Sequence, residues 1–212
     1  MLNTKELKEE ELCGKRFFIA DNFLLEPDAV NEAVFTKLGK VHHIEKEEFH
    51  WNCLFFIDRR KQVHGTFAQH LHDFVKEVWG NVEPVNQHAL TNETLLFDEP
   101  FNDPEKDWWR PHTDENLVNI VIYMNKDAES CGTNFYDPDV YWNYRYFYGA
   151  EHEQPWIPKK DLKRIRHVEG VYNRMIMFDG NIPHGMNLTK GKFINSYRNN
   201  ISSFYRHGDT IN

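Results

Sequence analysis

Apolar positions recur along this chain with two different periods, and the change falls near residue 81. Before it, Phe67, Leu71, Phe74, Val75 and Val78 return every three or four residues, which predicts a helix over Thr66–Val78 closed by Gly80-Asn81. A second helix is predicted from Pro27-Asp28 to about Leu38, with Ala29, Ala33, Val34 and Leu38 on one stripe. Phe17, Phe18 and Ile19 read as a strand. The Trp-, Leu- and Phe-rich run His50–Ile57 reads as another, ended by Asp58-Arg59-Arg60. The charged first dozen residues predict a short surface helix or an arm.

After Asn81 the apolar runs are short and separated by Gly, Pro, Asn and Asp: Glu93–Phe97, Leu117–Met124, Asn134–Tyr136, Arg164–Val168, Arg174–Phe178 and Ile201–Tyr205. Such punctuation predicts antiparallel strands in a sandwich or barrel, with helices drawn mainly from the first 80 residues. The fold class is therefore α+β, mainly β with supporting helices. The Tyr- and Trp-rich stretch Pro138–Pro158 reads as an insertion between strands, either an aromatic flap or a cover for a sheet.

Length and composition narrow the function classes. A chain of 212 residues without repeats or a long flexible linker is expected to form one domain, 1–212. An aromatic content of 15% excludes a disordered chain. A net charge of -8 argues against a backbone-driven nucleic-acid binder. Cys13, Cys53 and Cys131 form no closed disulfide framework and lack zinc-binding spacing, which favours a reducing, cytoplasmic location. No run approaches the roughly 18 apolar residues of a membrane span, and the N-terminus lacks a secretory pattern, so no membrane partner is expected.

The sharpest chemical feature is Pro111-His112-Thr113-Asp114. On an extended strand end His112 and Asp114 point to one side, because side chains alternate with period two. A third ligand, His184, follows the predicted strand Met175–Phe178 and the turn Asp179-Gly180-Asn181. Two imidazoles and one carboxylate on one face leave the opposite face of an octahedral ion open, which suits non-haem Fe(II); zinc accepts the same set with a single open position. An isolated His-x-Asp is most often a surface pair. It gains weight here from the strand-rich half around it.

Residues 92–205 resemble the catalytic core of the Fe(II)- and 2-oxoglutarate-dependent dioxygenases, especially the prolyl-hydroxylase-like branch. The resemblance lies in PHTDENLVNIVIYMNKDAESCGTNFYDP, NRMIMFDGNIPHGM and RNNISSFYR, taken in order. Tyr123-Met124-Asn125 stands where the family has a Tyr-Leu-Asn-like turn, and Gly132-Thr133 precedes the aromatics Phe135 and Tyr136. The resemblance implies a double-stranded β-helix (jelly roll, cupin-like), with residues 82–212 as its core and 1–81 supplying helices and strands packed on one sheet. It implies that His112, Asp114 and His184 bind iron and serve catalysis, with Fe(II), 2-oxoglutarate and O2 as cofactors. For the far carboxylate of 2-oxoglutarate it offers Arg198, with Ser202 as a weaker partner, and Lys192 as the competing cation. Tyr123 matches a tyrosine that donates to that carboxylate, and reads equally as a core aromatic.

The activity implied is a hydroxylase that couples C–H oxidation of a protein side chain or small molecule to decarboxylation of 2-oxoglutarate. Two other readings compete: a cupin-like metal-dependent isomerase or hydrolase using the same three ligands, and a metal-free jelly-roll binding module. His70 and His72 lie two apart on the predicted helix, so they do not share a face and are expected at the surface.

Overall fold

The computed structural model describes residues 2–37, 42–44, 56–63, 65–85, 89–96, 108–109, 111–126, 132–148, 157–158, 161–187 and 198–208. The first part of the chain forms β1 (Lys8–Leu12), β2 (Lys15–Ala20), α1 (Pro27–Glu32), β3 (His42–Ile44), β4 (Phe56–Val63) and α2 (Thr66–Trp79). There follow β5 (Val82–Pro84), β6 (Ala89–Leu96), β7 (Trp108–Trp109), β8 (Leu117–Tyr123), β9 (Gly132–Tyr136) and α3 (Pro138–Tyr148). The chain then runs through β10 (Ile157–Pro158), β11 (Arg164–Glu169), β12 (Met175–Asp179), β13 (His184–Asn187) and β14 (Arg198–His207).

Two antiparallel sheets organise these elements. The large one has the order β1-β2-β12-β8-β14-β6-β4-β3, with β5 also paired to β14. The small one is β11-β9-β13, and β7 pairs with β10 apart from both. Alternation along the central strands decides what each face of the large sheet meets. Phe18, Ile120, Ile122, Met175, Met177, Ile201 and Tyr205 face outward and bury against Leu71, Phe74 and Val75 of α2. Phe17, Tyr123, Ile176 and Phe178 face inward, against Phe135 and Val168 of the small sheet. Phe135 packs edge-on to both Phe17 and Phe178, at 5.3 and 5.0 Å. Each fully buried side chain of this size contributes about 1.5–3 kcal/mol. The structure is thus mostly antiparallel β with few helices, consistent with a jelly-roll core.

A clamp beside the central strands fixes the N-terminal segment. Asn173 is buried with φ 62, a left-handed conformation that asparagine tolerates. Its side chain accepts from Leu24 N at 2.7 Å and donates to Leu24 O at 2.9 Å, while its backbone carbonyl accepts from Phe23 N. The extended segment around Leu24, bridged on its other side by Leu2, thereby has its backbone groups paired.

Several elements depart from the sequence expectation. Lys8–Leu12 is an edge strand, neither helix nor arm: Cys13 and Gly14 both have positive φ, the requirement of a tight two-residue hairpin turn, and Leu12 pairs with Lys15 across it. Asp58, Arg59 and Arg60 lie inside β4 instead of ending it, because β4 pairs with β6 along its full length. The predicted second helix stops at Glu32 and continues as a π-helical turn, Ala33–Lys37. Pro138–Tyr148 is helical despite its aromatics. Pro138 opens it, and Asp137 Oδ1 accepts from Asp139 N at 2.9 Å. His72 is half-buried and stacked on Tyr205, 5.8 Å between ring centroids. Among the described residues no helix is long and apolar enough to cross a membrane.

Candidate metal centre

The site grows from one backbone pairing. His112 N donates to His184 O and His184 N to His112 O, both at 2.9 Å. Residues that exchange both bonds stand directly opposite each other, so their side chains project to the same side. The two imidazole centroids are 4.3 Å apart. Asp114, two residues after His112, returns to that side. Its Oδ2 lies 3.3 Å from His184 Nε2 and 3.9 Å from His112 Nε2, and the three candidate donor atoms all lie within 4.8 Å of one another.

The carboxylate loop is held from below. Asp114 N donates to Gly180 O at 2.8 Å, and Gly180 N to Leu117 O at 2.7 Å. Asn116, with φ 61, makes the tight turn between them. A Cβ built on Gly180 would overlap the Asp114 carbonyl oxygen and stand 2.9 Å from Leu117 O and 3.1 Å from Asp114 Cβ. Gly180→Ala is therefore expected to displace the Asp114 loop. Overpacking costs about 1–3 kcal/mol, and manganese affinity should fall about tenfold, as for other supports of metal ligands. Calorimetric titration with Mn(II) beside a thermal melt checks both.

Electrostatics and hydrogen bonding prepare all three side chains. His184 is buried, with Phe178 edge-on at 4.8 Å. Its Nδ1 lies 2.8 Å from Ile182 O, a carbonyl that only accepts, so Nδ1 carries a proton and Nε2 is the nitrogen turned toward Asp114. Burial pushes the Asp114 carboxyl up. The hydrogen bond from His184, the positive charge on His184 and His112 and the bond from Asn119 outweigh it and hold the carboxyl at about 2. The His112 and Asp114 side chains are 32% and 22% exposed, against 8% for His184, which makes their side the accessible one. Donors bound about 2.1 Å from a common octahedral ion stand about 3 Å apart, so ion binding would draw His112 inward. An ionised carboxylate and oriented imidazole nitrogens suit a borderline divalent cation.

Farther along the same interior face lies a polar group of side chains. Arg198, Asn200 and Ser202 alternate on β14, and Asn200 pairs with Tyr123 of β8. Arg198 is 3% exposed. It donates to Asn200 Oδ1 at 2.9 Å and to Gly132 O at 3.3 Å, its Nε has no partner, and no described carboxylate neutralises it. Asn200 in turn donates to Ser202 Oγ at 2.7 Å. The Tyr123 hydroxyl lies 2.7 Å from Thr133 Oγ1, one residue from the carbonyl that Arg198 reaches. Arg198, Tyr123 and Ser202 thus occupy one interior region, whereas Lys192 lies outside the described residues. Sequence inspection missed Asn119, Thr133 and Asn200. Asn119 and Asn200 sit at inward positions of strands otherwise rich in apolar residues, a pattern that alternation from Tyr123 and Arg198 would have exposed.

No family model matches this chain, and no curated protein matches it. Among solved structures it is similar to an oxidoreductase of the 2OG-Fe(II) oxygenase family from Burkholderia pseudomallei, at 9% identity over 91% of this chain and 84% of that one, with a TM-score of 0.46. It is also similar to the non-heme alpha ketoglutarate dependent epimerase SnoN from nogalamycin biosynthesis, at 10% identity over 89% and 76%, TM-score 0.49. A third similar structure is the Fe(II)/(alpha)ketoglutarate-dependent dioxygenase TqaL, at 13% identity over 86% and 74%, TM-score 0.39.

Proposed function

We propose that the chain is a non-haem Fe(II)- and 2-oxoglutarate-dependent dioxygenase, a hydroxylase whose substrate is a protein side chain, proline included, or a small molecule. The prolyl-hydroxylase-like branch is the one its motifs resemble. In this reading the whole chain is one domain with a double-stranded β-helix core over 82–212, supported by residues 1–81. One juxtaposition carries it: two histidines and a carboxylate converge at the accessible end of an interior face that also holds a buried arginine with no carboxylate partner among the described residues.

His112, Asp114 and His184 would hold Fe(II). Bound there with 2-oxoglutarate and O2, iron supplies the oxidising chemistry, in which 2-oxoglutarate becomes succinate and CO2 and one oxygen atom enters a substrate C–H bond. The protein's part is placement. Ile182 O fixes the proton of His184 on Nδ1. Asp114 stays ionised and offsets one charge of the cation. Arg198 presents a planar fork that matches the distal carboxylate, with the Tyr123 and Ser202 hydroxyls as added partners. Phe178 and Phe135, packed on His184, keep water from its buried side.

The test is anaerobic loading with Fe(II) and 2-oxoglutarate, admission of O2 and measurement of succinate. Succinate that depends on both iron and O2 is expected. Tight metal binding without succinate would point to the isomerase or hydrolase reading. No metal binding at all would leave the jelly-roll binding module.

A further inference from the structure

Asn119 is 2% exposed on β8, in an apolar setting: its cross-strand neighbours are Phe178 on β12 and Phe204 on β14. Its Nδ2 donates to Asp114 Oδ2 at 2.5 Å and lies 3.4 Å from His184 Nε2. A carbonyl oxygen in that position would repel the carboxylate, so the amide orientation is fixed by chemistry. The other end of the amide, Oδ1, is buried without a partner. An asparagine with an orphaned acceptor beside two phenylalanines is a poor choice for packing alone, because an apolar side chain of similar shape would bury no unpaired carbonyl oxygen; what the amide adds is its bond to Asp114.

We propose that Asn119 is a positioning residue of the metal centre. Its N–H pins Oδ2 of Asp114, the oxygen that faces both imidazoles, and so holds the carboxylate to ligation through that one oxygen. A carboxylate free to turn would present both oxygens and cover part of the face that must stay open. The inference rests on the metal-centre reading, and deepens it by naming the side chain that sets the carboxylate's orientation.

Asn119→Leu keeps the γ-branched outline, with bulkier methyl groups, and removes the donor; Asn119→Ala removes the donor without any risk of overpacking. Mn(II) binding to the wild type is titrated first by calorimetry. Failure to bind there removes the metal-centre reading itself. With binding established, both variants are expected to bind Mn(II) 10–100-fold more weakly, the range for lost support of a metal ligand. The Co(II) visible spectrum should shift in both. The metal-free melting temperature of the leucine variant should equal or exceed that of the wild type, an outcome that a merely structural asparagine does not give. Affinity within fivefold of the wild type in both variants, or a lowered metal-free melting temperature in both, overturns the proposal.

Discussion

His112→Ala is expected to leave the chain folded and nearly unable to hold a divalent ion. His112 is the cleanest of the three to remove, because its half-exposed ring leaves no sealed cavity behind, and its backbone bridge to His184 does not depend on the side chain. Structural metal sites with four ligands gain about 10–16 kcal/mol on binding, so one ligand is worth about 3 kcal/mol, or roughly a hundredfold in affinity. Asp114→Asn should cost at least as much, since it keeps the shape and removes the charge. Succinate production should fall with both, while His72→Ala, a histidine away from the site, leaves Mn(II) titration unchanged. Acidity does not mimic the aspartate change. A carboxyl lowered to about 2 contributes its stabilisation fully above the ordinary carboxyl value near 4, and loses it only as pH falls through about 2. Asp114 therefore remains a charged ligand between pH 8 and 5. Unchanged Mn(II) affinity in either ligand variant would remove the metal centre.

The reason this cluster was legible is that its spacing is a property of strands. Once His112 and Asp114 are placed on an extended segment, period two puts them on one side, and only the pairing with His184 remains to be found. That pairing is long-range, and nothing local encodes the backbone bridge that makes it. Helix α2 was equally legible, because its buried Leu71, Phe74 and Val75 follow the helical period. The charged strand β1 was not. Its side chains are largely solvent-facing, so it carries no apolar alternation, and what makes it a strand is the turn at Cys13-Gly14 together with the pairing to β2. Helix α3 was hidden for the opposite reason: aromatic residues favour strands, and the Asp137-Pro138 start signal outweighs them. The interior asparagines escaped because single polar residues in apolar runs look like strand ends until the register shows them facing inward.

Arg198→Met should abolish 2-oxoglutarate binding while sparing the fold, and the two effects together identify what the arginine is for. A buried cation with no carboxylate partner among the described residues is an expense to the metal-free protein, because the oxygens that offset its desolvation there are those of Asn200 and Gly132. Methionine follows the path of the stem and removes the charge. Relief of the unpaired cation opposes the loss of two hydrogen bonds, and the stability without 2-oxoglutarate should change by no more than about 1 kcal/mol. Removing one partner of a buried charge pair costs about 3–5 kcal/mol, so 2-oxoglutarate affinity in the presence of Mn(II) should fall by about two to four orders of magnitude. At a hundredfold excess over its dissociation constant a ligand stabilises by about 2.7 kcal/mol, or about 5–11 °C for a chain of this length. That shift should be present in the wild type and absent in Arg198→Met. Arg198→Lys keeps the charge and loses the planar fork, and should fall between them. Lys192→Met supplies the opposing arm. If it leaves the thermal shift intact, the arginine on β14 holds the distal carboxylate; if it abolishes the shift while Arg198→Met does not, that role passes to Lys192 and the buried guanidinium is structural.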